Sequence, residues 1–152
     1  MRTRISNLFL WIYIASAGLF LAGVLVQVFL AGLVVVARQA GWDNHIDLGH
    51  GLGLPLILML IAMFPARVPA NGRWLTALLF GVYFLQADVV IFMRETAPYA
   101  AALHPVLALF DFLLAQHLVR RSVRLLRGDA VPLAGRAGVG ESLERGVPVR
   151  EP

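Results

Sequence analysis

The chain alternates between long apolar runs and short polar segments. A membrane span needs about 20 mostly apolar residues, because the hydrocarbon core of a bilayer is about 30 Å thick. Four runs meet this requirement, over about residues 8–36, 45–64, 74–93 and 100–119. The pattern therefore predicts an all-α polytopic membrane protein, a four-transmembrane-helix bundle with up-down-up-down topology and short loops.

The two ends of the chain are predicted to differ in character. Arg2 and Arg4 precede an apolar stretch, as in a signal peptide, but the run from Leu8 to Ala37 is much longer than the roughly 7–15 residues of a signal h-region. We interpret it as a retained first span. From Gly128 onward Gly, Pro, Arg and Glu occur with no apolar period. Such a segment is predicted to be a disordered tail over 128–152, following a transmembrane domain over 1–127.

Composition agrees with a membrane location and excludes several kinds of site. Hydrophobic residues make up 59% of the chain and charged residues 14%, whereas soluble domains are about 45–50% apolar. The net charge of +4 does not indicate nucleic acid, because the basic residues stand at the ends of apolar runs. The chain has no cysteine, which excludes disulfides, iron–sulfur clusters and thiolate zinc sites.

The distribution of arginine predicts the orientation. One side of the membrane holds Arg2, Arg4, Arg67, Arg73 and the seven arginines from Arg120 to Arg150, and the other holds Arg38 and Arg94. The positive-inside rule places the richer side, with both termini, in the cytoplasm. The first four arginines after the last span alternate with apolar residues, which predicts a helix continuing along the membrane surface.

Histidines near the starts of two parallel spans are candidate ligands. His45 and His50 precede or begin the second span, and His104 the fourth, so all three are predicted near the outer leaflet. Imidazoles on two facing helices form bis-histidine heme sites, and His104 with His50 or His45 is the candidate pair. The alternative is that they are helix-end residues making one hydrogen bond each. A bare metal site would need more ligands. His117 is interpreted as interfacial.

Four further polar residues lie inside predicted spans, where such groups are costly. Asp88 and Asp111 are interpreted as a cation site, a proton relay or, preferably, groups paired inside the bundle. Gln27 and Gln86 are predicted to hydrogen-bond across helices. They also hint at a duplicated two-helix unit, with Gln27 followed by His50 and Gln86 by His104, although the two spacings differ.

Short motifs resemble those of a known family. Phe29-Leu30-Ala31-Gly32, His45 with Leu48-Gly49-His50, Gln86, and His104-Pro105 with Ala108 are similar to a domain-of-unknown-function family of small four-span bacterial membrane proteins, over about residues 8–120. The resemblance implies a bacterial inner membrane location and no established activity. The two-plus-two helix arrangement is also similar to four-helix b-type cytochromes and to half of a heme A synthase. Those bundles usually have further histidines at matched depths, and this chain has no second layer of them, so at most one heme is expected.

Two functional hypotheses from different classes follow. The first is a redox membrane protein that binds one heme b through His104 and His50 or His45. The second is a non-catalytic membrane subunit without a cofactor, which packs against another membrane protein or a second copy of itself within the lipid bilayer. A small transporter is less favoured, because few charges lie within the spans and no clearly broken helix is predicted.

Overall fold

The computed structural model describes residues 3–39, 41–89, 92–93 and 95–128. The predicted tail over 128–152, except for Gly128, lies outside the described residues, and so do Arg2 and Arg94. Every regular element in the described part is helical. The helices are α1 (Arg4–Gly32), α2 (Asp43–Gly51), α3 (Gly53–Ala62), α4 (Ala70–Phe84), α5 (Pro98–Ala101) and α6 (His104–Arg127).

Three helical units are long and apolar enough to cross a membrane: Arg4–Ala37, Asp43–Ala62 and Pro98–Arg127. They correspond to the first, second and fourth predicted spans, which confirms an all-α chain with membrane-length helices. The third predicted span corresponds to α4 with the turn that follows it, and among the described residues this unit is not one of the three. The predicted helix beyond the fourth span is confirmed, because α6 continues without a break to Arg127.

Local irregularities interrupt three of these units. The second unit changes from α2 to α3 at Leu52, between the two glycines that end one helix and begin the next. Wider π-helical turns follow α1 at Leu33–Ala37 and α4 at Leu85–Val89. The backbone stays helical through Leu52, whose φ and ψ are −68° and −13°, so Asp43–Ala62 remains one helical unit. Gly51 and Gly53 leave the backbone free to change course, and π-helical turns often mark functional positions.

The helices pack around one core. α1 packs against α3 and α6, and α4 packs against the same two helices. The core side chains come from all four helices and include Leu10, Phe20, Leu56, Leu79 and Leu118, each fully or almost fully buried. Many large apolar side chains on the opposite faces are exposed, as expected of helices whose outer surfaces meet lipid.

A buried hydroxyl pair connects α1 and α4 within this core. The Tyr13 hydroxyl lies 2.6 Å from Thr76 Oγ1, and the Thr76 hydroxyl donates to the carbonyl oxygen of Gly72 at 2.9 Å. Because the single Thr76 hydroxyl proton is used on Gly72, Tyr13 must be the donor in the first bond. Both side chains are completely buried. The pair therefore links two helices at a depth where an unpaired hydroxyl would be costly.

We expect Tyr13→Phe to lower the free energy of unfolding by about 0.5–1.5 kcal/mol, since it removes one buried hydrogen bond and leaves the ring in place. The measurement is reversible unfolding in mixed detergent–dodecyl sulfate micelles, followed by circular dichroism.

Tyr99→Phe is the matched control, because Tyr99 is 92% exposed and its loss of a hydroxyl should leave stability unchanged. Equal stabilities of the two variants would show that the Tyr13–Thr76 bond contributes nothing.

Candidate cofactor site

Two glutamines and two histidines meet at one end of the helical core. Gln27 lies late in α1, and Gln86 lies in the π-helical turn after α4. His45 lies in the first turn of α2, and His104 is the first residue of α6, where Pro105 favours a helix start. Each histidine thus begins a helix that returns alongside the helix carrying a glutamine.

Gln27 and His45 are joined by two hydrogen bonds. The Gln27 side-chain nitrogen Nε2 donates to the backbone oxygen of His45 at 2.8 Å. In return, His45 Nδ1 lies 3.2 Å from the backbone oxygen of Gln27. A carbonyl oxygen only accepts, so Nδ1 carries the proton and the neutral ring presents its Nε2 lone pair. The first histidine–glutamine pair therefore fixes both the orientation and the tautomer of His45.

Gln86 and His104 repeat the second of these two hydrogen bonds, the one between the histidine ring and the glutamine backbone oxygen. His104 Nδ1 lies 3.1 Å from the backbone oxygen of Gln86, and the separation along the chain is 18 residues, as it is between Gln27 and His45. His104 has the same tautomer for the same reason. In the structure Gln27 pairs with His45, and not with His50 as the predicted repeat had it. With this pairing the glutamine-to-histidine spacing is the same in both halves of the chain. The predicted cross-helix hydrogen bonding of both glutamines is confirmed.

The two histidine rings are brought together between the halves. Their centroids are 6.1 Å apart and their planes are inclined by 62°. Trp42 also packs edge-on against His45, with ring centroids 5.4 Å apart. Both histidines are half-buried. The arrangement therefore consists of two oriented imidazoles, one from each half of the chain.

Tyr83 connects α4 to the second helical unit below the histidines through its hydroxyl group. It was not among the predicted site residues. Its hydroxyl lies 2.8 Å from the backbone oxygen of Gly49 and 3.3 Å from that of His50, and donates to these carbonyls. Gly53 faces the same hydroxyl, since a Cβ at that position would be 3.2 Å from it. One signal was available: Tyr83 stands three residues before Gln86, on the same helical face.

Asp111 is the other polar residue that the structure places in this network. Gln86 Nε2 donates to Asp111 Oδ2 at 2.7 Å, and Asp111 is fully buried. The preferred interpretation of Asp111, pairing inside the bundle, agrees with this bond. Gln86 therefore contacts His104 through its backbone and Asp111 through its side chain.

The remaining predicted residues lie outside this network or at its edge. The side chains of His50, Asp88 and His117 are exposed. His50 takes part only through its backbone oxygen, which faces Tyr83. Within the described part of the chain, no three histidine, aspartate or glutamate side chains gather closely enough to hold a metal ion. The arrangement offers two nitrogen ligands and no more.

Comparison with known proteins gives one family. Residues 27–91 match a protein family described as a family of unknown function, DUF6220. The match begins at Gln27 and includes His45, Tyr83 and Gln86, so it supports the resemblance to a domain-of-unknown-function family. No curated protein and no solved structure matches the chain.

The hydrogen bond from the Gln27 amide to the His45 backbone requires a glycine at position 49, because a larger residue would contact that amide. A Cβ at position 49 would lie 2.8 Å from Gln27 Nε2. We expect Gly49→Ala to displace the Gln27 amide from the backbone oxygen of His45 and to lower the free energy of unfolding by about 1–3 kcal/mol. The micelle unfolding assay measures this change.

Gly51→Ala is the control two residues away, where a Cβ would have no atom within 4 Å. Its stability should be equal to or slightly above that of the parent chain, because alanine favours helix more than glycine does. If Gly49→Ala behaved the same way, the close contact with Gln27 would be refuted.

Proposed function

We propose that this chain is an integral membrane protein that binds one heme b between His45 and His104 and carries single electrons. The observation that carries the proposal is the matched state of the two imidazoles. Each Nδ1–H is held by a glutamine backbone oxygen, so that in the neutral imidazole the lone pair is on Nε2. Histidines that bind metals are commonly oriented through a hydrogen bond from the other ring nitrogen.

Ligand number favours heme over a bare metal ion. Zinc sites built from protein need three or four side chains, and the described residues bring together no such group. A tetrapyrrole would bring nitrogen ligands of its own and would need only His45 and His104 from the protein. Two histidines on two helices are therefore a sufficient set for heme and an insufficient set for zinc.

The separation of the rings also supports the proposal. Imidazole nitrogen–metal bonds are about 2 Å long, so two imidazoles on opposite sides of one metal have centroids about 6 Å apart. The observed separation is 6.1 Å.

The ligand set indicates the kind of chemistry. A heme with histidine on both faces has no open position for oxygen or for a substrate, so it exchanges electrons with its surroundings. His45 and His104 would hold the iron, the backbone oxygens of Gln27 and Gln86 would orient them, and Trp42 would pack against the ring of His45. The role that fits is electron transfer at one face of the membrane.

The direct test is the visible spectrum of the chain, expressed with an ample heme supply and purified in detergent. We expect one heme per chain and the sharp reduced-minus-oxidised α band of a six-coordinate cytochrome. His45→Ala and His104→Ala should each lose the heme or leave a five-coordinate iron that binds carbon monoxide.

His50→Ala and His117→Ala are the matched controls, because both side chains are exposed, and their spectra should equal that of the parent chain. Absence of heme from a folded parent chain would refute the proposal, and the chain would then be a cofactor-free membrane partner. Loss of heme in His50→Ala with retention in His45→Ala would refute the ligand assignment.

We also propose that the chain spans the membrane four times, with the histidine end of the bundle outside and both termini inside. The excess of arginine at the other end supports this orientation. The unit formed by α4 and its π-helical turn would be the third span, since it packs against α3 and α6 as α1 does.

Single cysteines test the orientation cleanly, because the chain contains none. Asn44 and Asn71 are both exposed. In the proposed topology Asn44 lies at the outer end of the second span and Asn71 at the inner end of the third. We expect Asn44→Cys in intact cells to react with a membrane-impermeant thiol reagent and Asn71→Cys to react only after the cells are lysed. The reverse pattern would overturn the orientation, and equal labelling in intact cells would overturn the four-span topology.

A further inference from the structure

We propose that Asp111 and Gln86 form a proton-binding site inside the bundle, and that the proton is taken up when the heme is reduced. The first part of this inference stands on the contacts of Asp111 alone. The second part rests on the proposed heme, and the two parts are tested separately below.

The environment of Asp111 is unsuited to a lasting negative charge. The side chain is 0% exposed and has one hydrogen bond, from the neutral amide of Gln86 to Oδ2 at 2.7 Å. Its other oxygen, Oδ1, is buried without a hydrogen-bond partner, and so is the Gln86 side-chain oxygen Oε1. A buried carboxylate with a single neutral donor and no cation is strongly destabilised.

One proton would satisfy both unpaired oxygens. If Oδ1 is protonated, it becomes a donor, and the acceptor offered by its partner is Gln86 Oε1. The acid and the amide would then be joined by two antiparallel hydrogen bonds, Nε2–H to Oδ2 and O–H to Oε1. The bond that the structure shows is one half of this pair, and the two unpaired atoms are the other half.

Among the described residues, the surrounding ionisable groups offer Asp111 no other hydrogen-bond partner. Those on the elements packed against α6, and on α6 itself, are Arg4, Tyr13, Arg73, Tyr83, Asp88, His104, His117, Arg120, Arg121, Arg124 and Arg127. Tyr83 interacts electrostatically with Asp111 but donates its hydroxyl proton to the α2 backbone. His104 donates its Nδ1 proton to the backbone oxygen of Gln86. The nearest arginine along α6 is Arg120, which is about 13 Å further along the helix axis.

Gln86 connects this site to the proposed heme ligand. Its backbone oxygen accepts from His104 Nδ1 while its side chain holds Asp111. Asp111 lies two turns below His104 on the same helix, about 10 Å along the axis. A ferric heme carries one positive charge more than a ferrous heme, so the ferric state favours the carboxylate and the ferrous state favours the neutral acid.

The coupled step balances simply. A one-electron donor, which is the electrode in the experiment below, converts ferric to ferrous iron. One proton from water forms an O–H bond at Asp111 Oδ1. Oxidation returns the electron to the electrode and the proton to water, and no other bond forms or breaks.

The test is the heme midpoint potential of the full-length protein in detergent, measured by spectroelectrochemistry between acidic and alkaline pH. We expect the potential to fall as pH rises, because the reduced state binds the proton more tightly. The limiting slope for one proton per electron is about 59 mV per pH unit. Asp111→Asn should abolish the slope and retain the heme spectrum, whereas the exposed Asp88→Asn should keep the slope. An unchanged slope in Asp111→Asn would overturn the coupling.

Infrared spectroscopy of the heme-free protein tests the proton site independently. At neutral pH we expect the carbonyl stretch of a protonated carboxylic acid, which shifts in deuterated water and is absent from Asp111→Asn. Gln86→Leu should move this band, because the acid loses its amide partner, and it serves if Asp111→Asn fails to fold. Absence of the band from the parent chain would overturn the proton site even if heme binds. Presence of the band without any heme would support the proton site and refute the heme and its coupling.

Discussion

The arrangement of the polar end depends on two backbone carbonyl groups, those of Gln27 and Gln86. Each accepts the Nδ1 proton of a histidine that begins the following helix. A helix interior normally uses its carbonyl oxygens for its own ladder, but each oxygen has a second lone pair available. The hydrogen bond to this second lone pair holds the start of the returning helix in place. It also sets the tautomer of the histidine and the direction of its other ring nitrogen, Nε2.

Much of the fold follows from the apolar pattern. Runs of about 20 apolar residues have few alternatives to helix, so the helices and the continuation of α6 to Arg127 were predictable. The irregularity at Leu52 and the π-helical turns were not, because they depend on neighbouring helices. His45, His104, Gln86 and Asp111 became candidates because they are polar residues in or at the ends of apolar runs, and the structure connects them through hydrogen bonds and a ring contact.

The pairing within the site could not be read from the sequence. His45 and His50 stand near the start of the same helix, and the sequence offered no measure of which one faces Gln27. The close approach of Gly49 to the Gln27 amide decides it, and that contact depends on how α1 and α2 pack. Tyr83 was missed because its spacing from Gln86 does not show that its hydroxyl reaches the backbone oxygens of Gly49 and His50.

The two halves of the chain match at the histidines and differ about two helical turns further along. Seven residues after His104 stands Asp111, and seven residues after His45 stands Leu52, which is also buried. Two imidazoles with the same tautomer and the same carbonyl partner therefore face unlike interiors, one containing an acid and the other hydrocarbon. The two halves are therefore alike in how they hold a histidine ring, and they are not interchangeable as surroundings for it.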